Sequence, residues 1–209
     1  VMAQGTTVIY NAACEPYLQQ LARLLNAMGA QVEGVGTNQL VIKGQPGLQG
    51  TEHTCLPDMI EVGSFIGLAA MTGSSLRIQQ AGVAHLGQTV RMFRQLGIAI
   101  EQEQDDLIVD QRSCYEIDTY LDGSILTVAD GPWPMISPDL LSIALVVATQ
   151  AKGNVLIHQK MFESRLFFVD ELIEMGAQVI LCDPHRATVM GLGRQHPLRG
   201  IKVRSPDIR

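Results

Sequence analysis

Three stretches of the chain repeat one order of apolar and polar positions. They are "GTTVIYNAACEPYLQQLARLLNAMGAQVEGVGTNQLVIKG" from Gly5, "GSSLRIQQAGVAHLGQTVRMFRQLGIAIEQEQDDLIVDQ" from Gly73 and "GNVLIHQKMFESRLFFVDELIEMGAQVILCDPHRATVMG" from Gly153. Each opens on a glycine and a short aliphatic run (Val8-Ile9, Leu76–Ile78 or Val155–Ile157), which predicts a strand. A second glycine follows at nearly the same distance each time, at Gly29, Gly97 and Gly176. One and four places before it stand Met28 and Leu25, Leu96 and Phe93, and Met175 and Leu172. That spacing lays one apolar stripe along a helix, and the glycine suits a left-handed C-cap. In the first stretch Pro16 falls just inside the helix start, where a missing N–H costs nothing. Beyond the second glycine, aliphatic residues flank the polar triplets Gly36-Thr37-Asn38, Gln104-Asp105-Asp106 and Asp183-Pro184-His185, which predicts a hairpin each time.

A different pattern separates the stretches. "LPDMIEVGSFIGLAAMTG" (56–73) and "SPDLLSIALVVATQAKG" (137–153) each start on Pro-Asp, run almost wholly apolar and close on glycine. Both predict a buried helix, with proline setting the first turn and Ser137 able to cap the second helix. The unit is thus strand, helix, hairpin, loop, helix. "SPDIR" (205–209) writes its opening a third time. The Pro-Asp aspartates Asp58, Asp139 and Asp207 mark the length of the repeat. A unit of that size cannot bury both faces alone, so several must stack. With "VMAQG" at one end and "SPDIR" at the other, the chain is expected to be a piece of a longer protein, cut within the repeat at both ends.

Composition narrows the classes. At 46% hydrophobic and 17% charged, with mean hydropathy +0.15, the 209 residues can build a real core, and 5% aromatics make it aliphatic. A net charge of -6 without a basic run argues against non-specific nucleic-acid binding, which needs clustered cations to displace counterions. The apolar run from Leu140 to Ala151 falls well short of the ~20 residues a spanning helix needs. Cys14, Cys55, Cys114 and Cys182 are scattered along the chain, a spacing that makes neither a disulfide framework nor a zinc site and predicts reduced thiols in a cytoplasmic protein. "CDPH" (182–185) falls in a hairpin turn without a second ligand pair, so no metal is expected there. "GLGRQHPLRG" (191–200) is basic for its length and reads as a solvated loop.

Taken together, "GTTVIYNAACEPYLQQLARLLNAMGA", "GTEHTCLPDMIEVGSF", "HQKMFESRLFFVDELIEMGAQ" and "SPDIR" resemble the enolpyruvyl transferases, over essentially the whole chain. The resemblance implies an α/β (α+β) fold: an inside-out α/β prism of repeated βαβαββ units, here truncated at both ends. It implies that residues 1–56 are the last repeat of one lobe, and 57–209 two repeats and the start of a third of the other. The "GTEHTCLPD" and "FESRLFFVDELIEMGA" strings fit the sugar-nucleotide branch better than the shikimate-phosphate branch. The implied reaction adds the 3′-hydroxyl of UDP-N-acetylglucosamine to C2 of phosphoenolpyruvate and then eliminates phosphate, opening peptidoglycan synthesis in the cytoplasm. No cofactor and no metal are implied. A Lys-Asn pair and a reactive-cysteine loop are expected before Val1 and a further arginine after Arg209, so the chain alone is expected to be inactive.

By pattern alone Asp139 is a favourable first-turn acid, like Asp58 and Asp207. The resemblance makes Asp139 the base for the acceptor hydroxyl, as the reaction requires. It also implies that Met161 meets the nucleotide sugar through its backbone, that Arg165 lies on the cleft side, and that Glu15 is a substrate-site acid. Arg209 is implied to lie near the phosphoenolpyruvate anions. Ser137-Pro138-Asp139 departs from the family's frequent Pro-Thr-Asp, and Trp133 stands where many members have histidine. The alternative to an enzyme is a non-catalytic repeat module that binds a sugar nucleotide.

Overall fold

The computed structural model describes residues 1–163 and 165–203, which fall into two compact units, Val1–Pro57 and Asp58 onward. The first unit holds β1 (Thr6–Tyr10), α1 (Pro16–Ala27), β2 (Gln31–Glu33) and β3 (Gln39–Lys43). Its sheet runs β1-β3-β2, all antiparallel, with Val8 opposite Val41 and Val32 opposite Ile42. Pro16 sits in the first turn of α1, and Gly29, at φ +102°, ends it. The core is small: Ala22, Ala30 and Val32 are buried, with Leu25, Leu40 and Ile42 packed around them. β1 stays exposed along its length, as a single three-stranded repeat has too little cover for both faces.

The second unit repeats this plan twice. One sheet, of β4 (Leu76–Ile78), β5 (Ile100–Glu103) and β6 (Asp106–Val109), runs β4-β6-β5. The other, of β7 (Leu126–Ala129), β8 (Lys152–His158), β9 (Gln178–Asp183) and β10 (Arg186–Leu192), runs β7-β8-β10-β9. The strand after the leading glycine therefore pairs in all three cases with the second arm of the hairpin. Between them lie α2 (Met59–Thr72), a 3-10 turn (Val83–His85), α3 (Gly87–Gln95), α4 (Pro138–Ala148) and α5 (Val169–Glu174). Gly97 and Gly176, at φ +90° and +103°, end the amphipathic helices as Gly29 does. The sequence pattern predicts loop before α4, whereas β7 pairs parallel with β8 there, Leu126 opposite Val155.

Helices α2 and α4 lie side by side at the centre of the unit, with strands from both sheets packed on them. Glycine makes the close approach possible: a Cβ on Gly63 would sit 2.5 Å from Leu140 Cδ2, and one on Gly67 2.5 Å from Ile143 Cγ2. Each sheet turns one face inward through alternate residues, such as Leu107 and Val109, Leu126 and Val128, Val155 and Ile157, and Ala187 and Val189. Each of the larger aliphatic side chains is worth about 1.5–3 kcal/mol on burial. Burial of the Pro-Asp helices is uneven. α4 buries Leu140, Leu141, Leu145 and Val147, while Phe65 and Leu68 leave one flank of α2 open to solvent.

The "GLGRQHPLRG" segment is more than a solvated loop. Arg194 donates to the carbonyl of Ala70 at the C-terminal end of α2 and lies 5.4 Å from the Tyr115 ring centre. Arg199 donates to Glu174 O at 2.8 Å, at the end of α5. Both place positive charge on helix-end carbonyls, the favourable end of the helix dipole. Tyr115 beneath Arg194 donates to Val147 O at 3.0 Å, and burial pushes its hydroxyl up to about 12.

Candidate active site

The two Pro-Asp steps within the described residues begin their helices differently. At α2 Asp58 is the N-cap, its carboxylate accepting from the N–H of Ile60 at 2.8 Å and of Glu61 at 3.4 Å. At α4 the cap is Ser137, whose hydroxyl accepts the N–H of Asp139 at 3.4 Å, and Pro138 occupies the first turn. Position 56, which matches Ser137, is leucine and has no group to offer. Asp58 is thus consumed by its own helix, whereas the Asp139 carboxylate is released from that duty. It stays in the first turn, where the helix end favours an anion.

Asp139 binds a residue far along the chain. Arg165 Nη1 donates to Asp139 Oδ1 at 2.6 Å, with the arginine side chain 23% exposed and the carboxylate 53% exposed. The guanidinium also lies 4.3 Å from the ring centre of Phe162, a cation–π contact. A pair this open to water adds little to the stability of the fold. The result is a solvent-facing carboxylate held by a cation at one oxygen, which can accept a proton from a neutral hydroxyl.

The Met161 side chain is 40% exposed, and its backbone N–H donates to Asp130 Oδ2 at 3.3 Å. Glu15, in the other unit, precedes α1; its carbonyl accepts from Leu18 and Gln19 N–H at 3.0 Å while its side chain does no capping. Its Oε2 is buried with no partner among the described residues. Arg209 lies outside the described residues. The structure therefore joins Asp139 to Arg165 directly and ties Met161 to the same loops. Among the described residues no group of acids, histidines and cysteines is arranged to hold a metal, the four cysteines are unpaired, and no helix is long and apolar enough to cross a membrane.

Asp130 is the residue that sequence reasoning missed. It is 1% exposed and accepts from the backbone N–H of both Lys160 and Met161. A signal was present: Leu126, Val128 and Asp130 share one face of an alternating strand, so an acid falls on an inward-facing position. Nearby, burial and the charges of Arg186 and Lys160 push His158 below its ordinary range.

Comparison with known proteins places the chain in a class. The family profile described as EPSP synthase (3-phosphoshikimate 1-carboxyvinyltransferase) matches residues 1–209, and the chain belongs to that family of enolpyruvyl transferases. The enolpyruvyl transferase NikO from Streptomyces tendae shares the fold, with TM-score 0.76 at 20% identity over 91% of this chain and 43% of its own. Two curated relatives are much nearer in sequence, and both are named UDP-N-acetylglucosamine 1-carboxyvinyltransferase. The Porphyromonas gingivalis protein is 65% identical over 209 residues and the Bacteroides thetaiotaomicron protein 63%, each covering 100% of this chain and 48% of the relative. The chain thus spans about half the length of the curated relatives it matches.

Proposed function

We propose that the chain supplies roughly half of an enzyme that transfers enolpyruvyl from phosphoenolpyruvate to the 3′-hydroxyl of UDP-N-acetylglucosamine, a first step toward peptidoglycan in the cytoplasm. The observation that carries this reading is the Asp139 carboxylate: freed from capping by Ser137, oriented by Arg165 and open to solvent. Asp139 takes the proton as the hydroxyl oxygen bonds to C2 of phosphoenolpyruvate, while a separate general acid protonates C3. Loss of a proton from C3 then expels inorganic phosphate and restores the double bond. Arg165 keeps one oxygen of Asp139 engaged, so the other can face the hydroxyl. Because the Met161 N–H is committed to Asp130, its carbonyl is the backbone group left to meet the nucleotide sugar. By resemblance alone, Glu15 is a further candidate acid and Arg209 a candidate cation for the phosphoenolpyruvate anions. Two anionic substrates need further cations, which the rest of the enzyme supplies.

The test uses the full-length protein, phosphoenolpyruvate and two acceptors in parallel. Phosphate release with UDP-N-acetylglucosamine and none with shikimate 3-phosphate is the expected result. The reverse preference moves the protein to the shikimate branch, and release with neither leaves a non-catalytic binding module.

A further inference from the structure

Asp130 lies outside the chemistry proposed above, yet it occupies the point where both candidate-site loops begin. It directly follows β7 and is buried; its two oxygens take the main-chain N–H groups of Lys160 and Met161, which directly follow Gln159 at the end of β8. On the other side, Asp130 pairs across to Ile136, Gly131 N–H donates to Ile136 O at 3.2 Å, and Met135 N–H to Pro132 O at 3.0 Å. The 131–136 loop is thereby closed upon itself and delivers Ser137 to the start of α4.

The contacts form a circuit. Asp130 holds Lys160 and Met161; the chain then runs on to Arg165, and Arg165 grips Asp139. From Asp139 the circuit returns through the Ser137 cap and Ile136 to Asp130. Hydrogen bonds to a carboxylate are roughly twice as strong as neutral ones, so this junction is the stiffest link in a circuit otherwise closed by an exposed ion pair. Resting on the functional reading above, we infer that Asp130 is a positioning residue: its buried carboxylate fixes the backbone at Lys160–Met161 against the Ser137–Asp139 turn and so sets where the Asp139 carboxylate points.

Two readouts on the full-length protein test this, one independent of activity. In Asp130→Asn, an amide N–H₂ faces a main-chain N–H that the carboxylate formerly accepted. Hydrogen exchange of the peptide covering 159–163 is expected to speed up while peptides from α2 and α4 keep their protection. Unchanged exchange there, or loss of protection throughout, overturns the proposal, the second because Asp130 is then simply a core residue. Should Asp130→Asn not fold, Asp130→Ser is measured the same way, and its failure to fold also overturns the proposal. The second readout is steady-state kinetics. Asp130→Asn is expected to lower kcat roughly tenfold to hundredfold, the scale of an ångström-level misplacement, with KM for phosphoenolpyruvate nearly unchanged. Combined with Arg165→Ala, it should cost little beyond the worse single variant, because both act through Asp139. Losses that multiply in the double variant contradict the proposal. If the wild-type protein transfers no enolpyruvyl group, the functional reading fails, and the exchange experiment still decides whether Asp130 fixes the Lys160–Met161 backbone.

Discussion

At the start of α4 the Ser137 hydroxyl accepts the N–H of Asp139; at the start of α2 Leu56 can do nothing of the kind, and Asp58 caps the helix itself. Removing the serine hydroxyl should therefore draw Asp139 into capping. Ser137→Ala is expected to cost about 1 kcal/mol of stability and to lower kcat of the full-length enzyme roughly fivefold, that free energy read as a rate; Ser137→Thr should restore both. Unchanged kinetics would show that the cap does not govern the carboxylate. A second residue-level prediction concerns pH. Asp106 accepts Gln80 N–H at 2.9 Å and pairs with Arg77 at 2.9 Å, and these contacts, the backbone bond first, hold its carboxyl below the usual range. Its folded value is the lower one, so its stabilisation is present above the ordinary carboxylate pKa of ~3.9 and fades as pH falls through the folded value. Asp106→Asn should lower Tm at neutral pH, with the gap to wild type closing in strong acid; a gap constant with pH contradicts this.

The elements were largely legible because the repeat is punctuated by residues with few alternatives. Glycines at φ +102°, +90° and +103° end α1, the helix before Gly97 and the helix before Gly176, as their spacing predicted. The aliphatic runs before and after the polar triplets became the hairpin arms. β7 escaped because its alternation is short and follows an irregular stretch, and its partner β8 lies on the far side of α4 in the sequence. The anchoring of Arg194 within the largely exposed 194–200 segment escaped for a similar reason. The carbonyl that Arg194 satisfies belongs to Ala70, in a distant part of the chain, and no local pattern records it. Arg194→Ala should accordingly destabilise the chain by roughly 1–3 kcal/mol in denaturant unfolding, the range for a charged hydrogen bond at a helix end. A change too small to measure would return that segment to the solvated loop that the sequence suggested.

At the scale of the whole molecule, the family match and the fold shared with NikO agree with the repeat read from the sequence. The site is a different matter. Pattern alone could not separate Asp139 from Asp58; the family resemblance singled out Asp139 and Arg165. The bond between them depends on how the β8–α5 turn meets the start of α4, a tertiary fact, and Asp130 went unnoticed with β7. The proposed enzyme rests on one exposed carboxylate doing proton transfer, in a family whose curated members matched here are about twice the length of this chain. The most direct test is the turnover of the full-length protein carrying Asp139→Asn, with phosphoenolpyruvate and UDP-N-acetylglucosamine both saturating. A fall in kcat of about 10²–10⁴, the range for a positioned acid–base group, is the predicted result. A kcat equal to wild type would contradict the account.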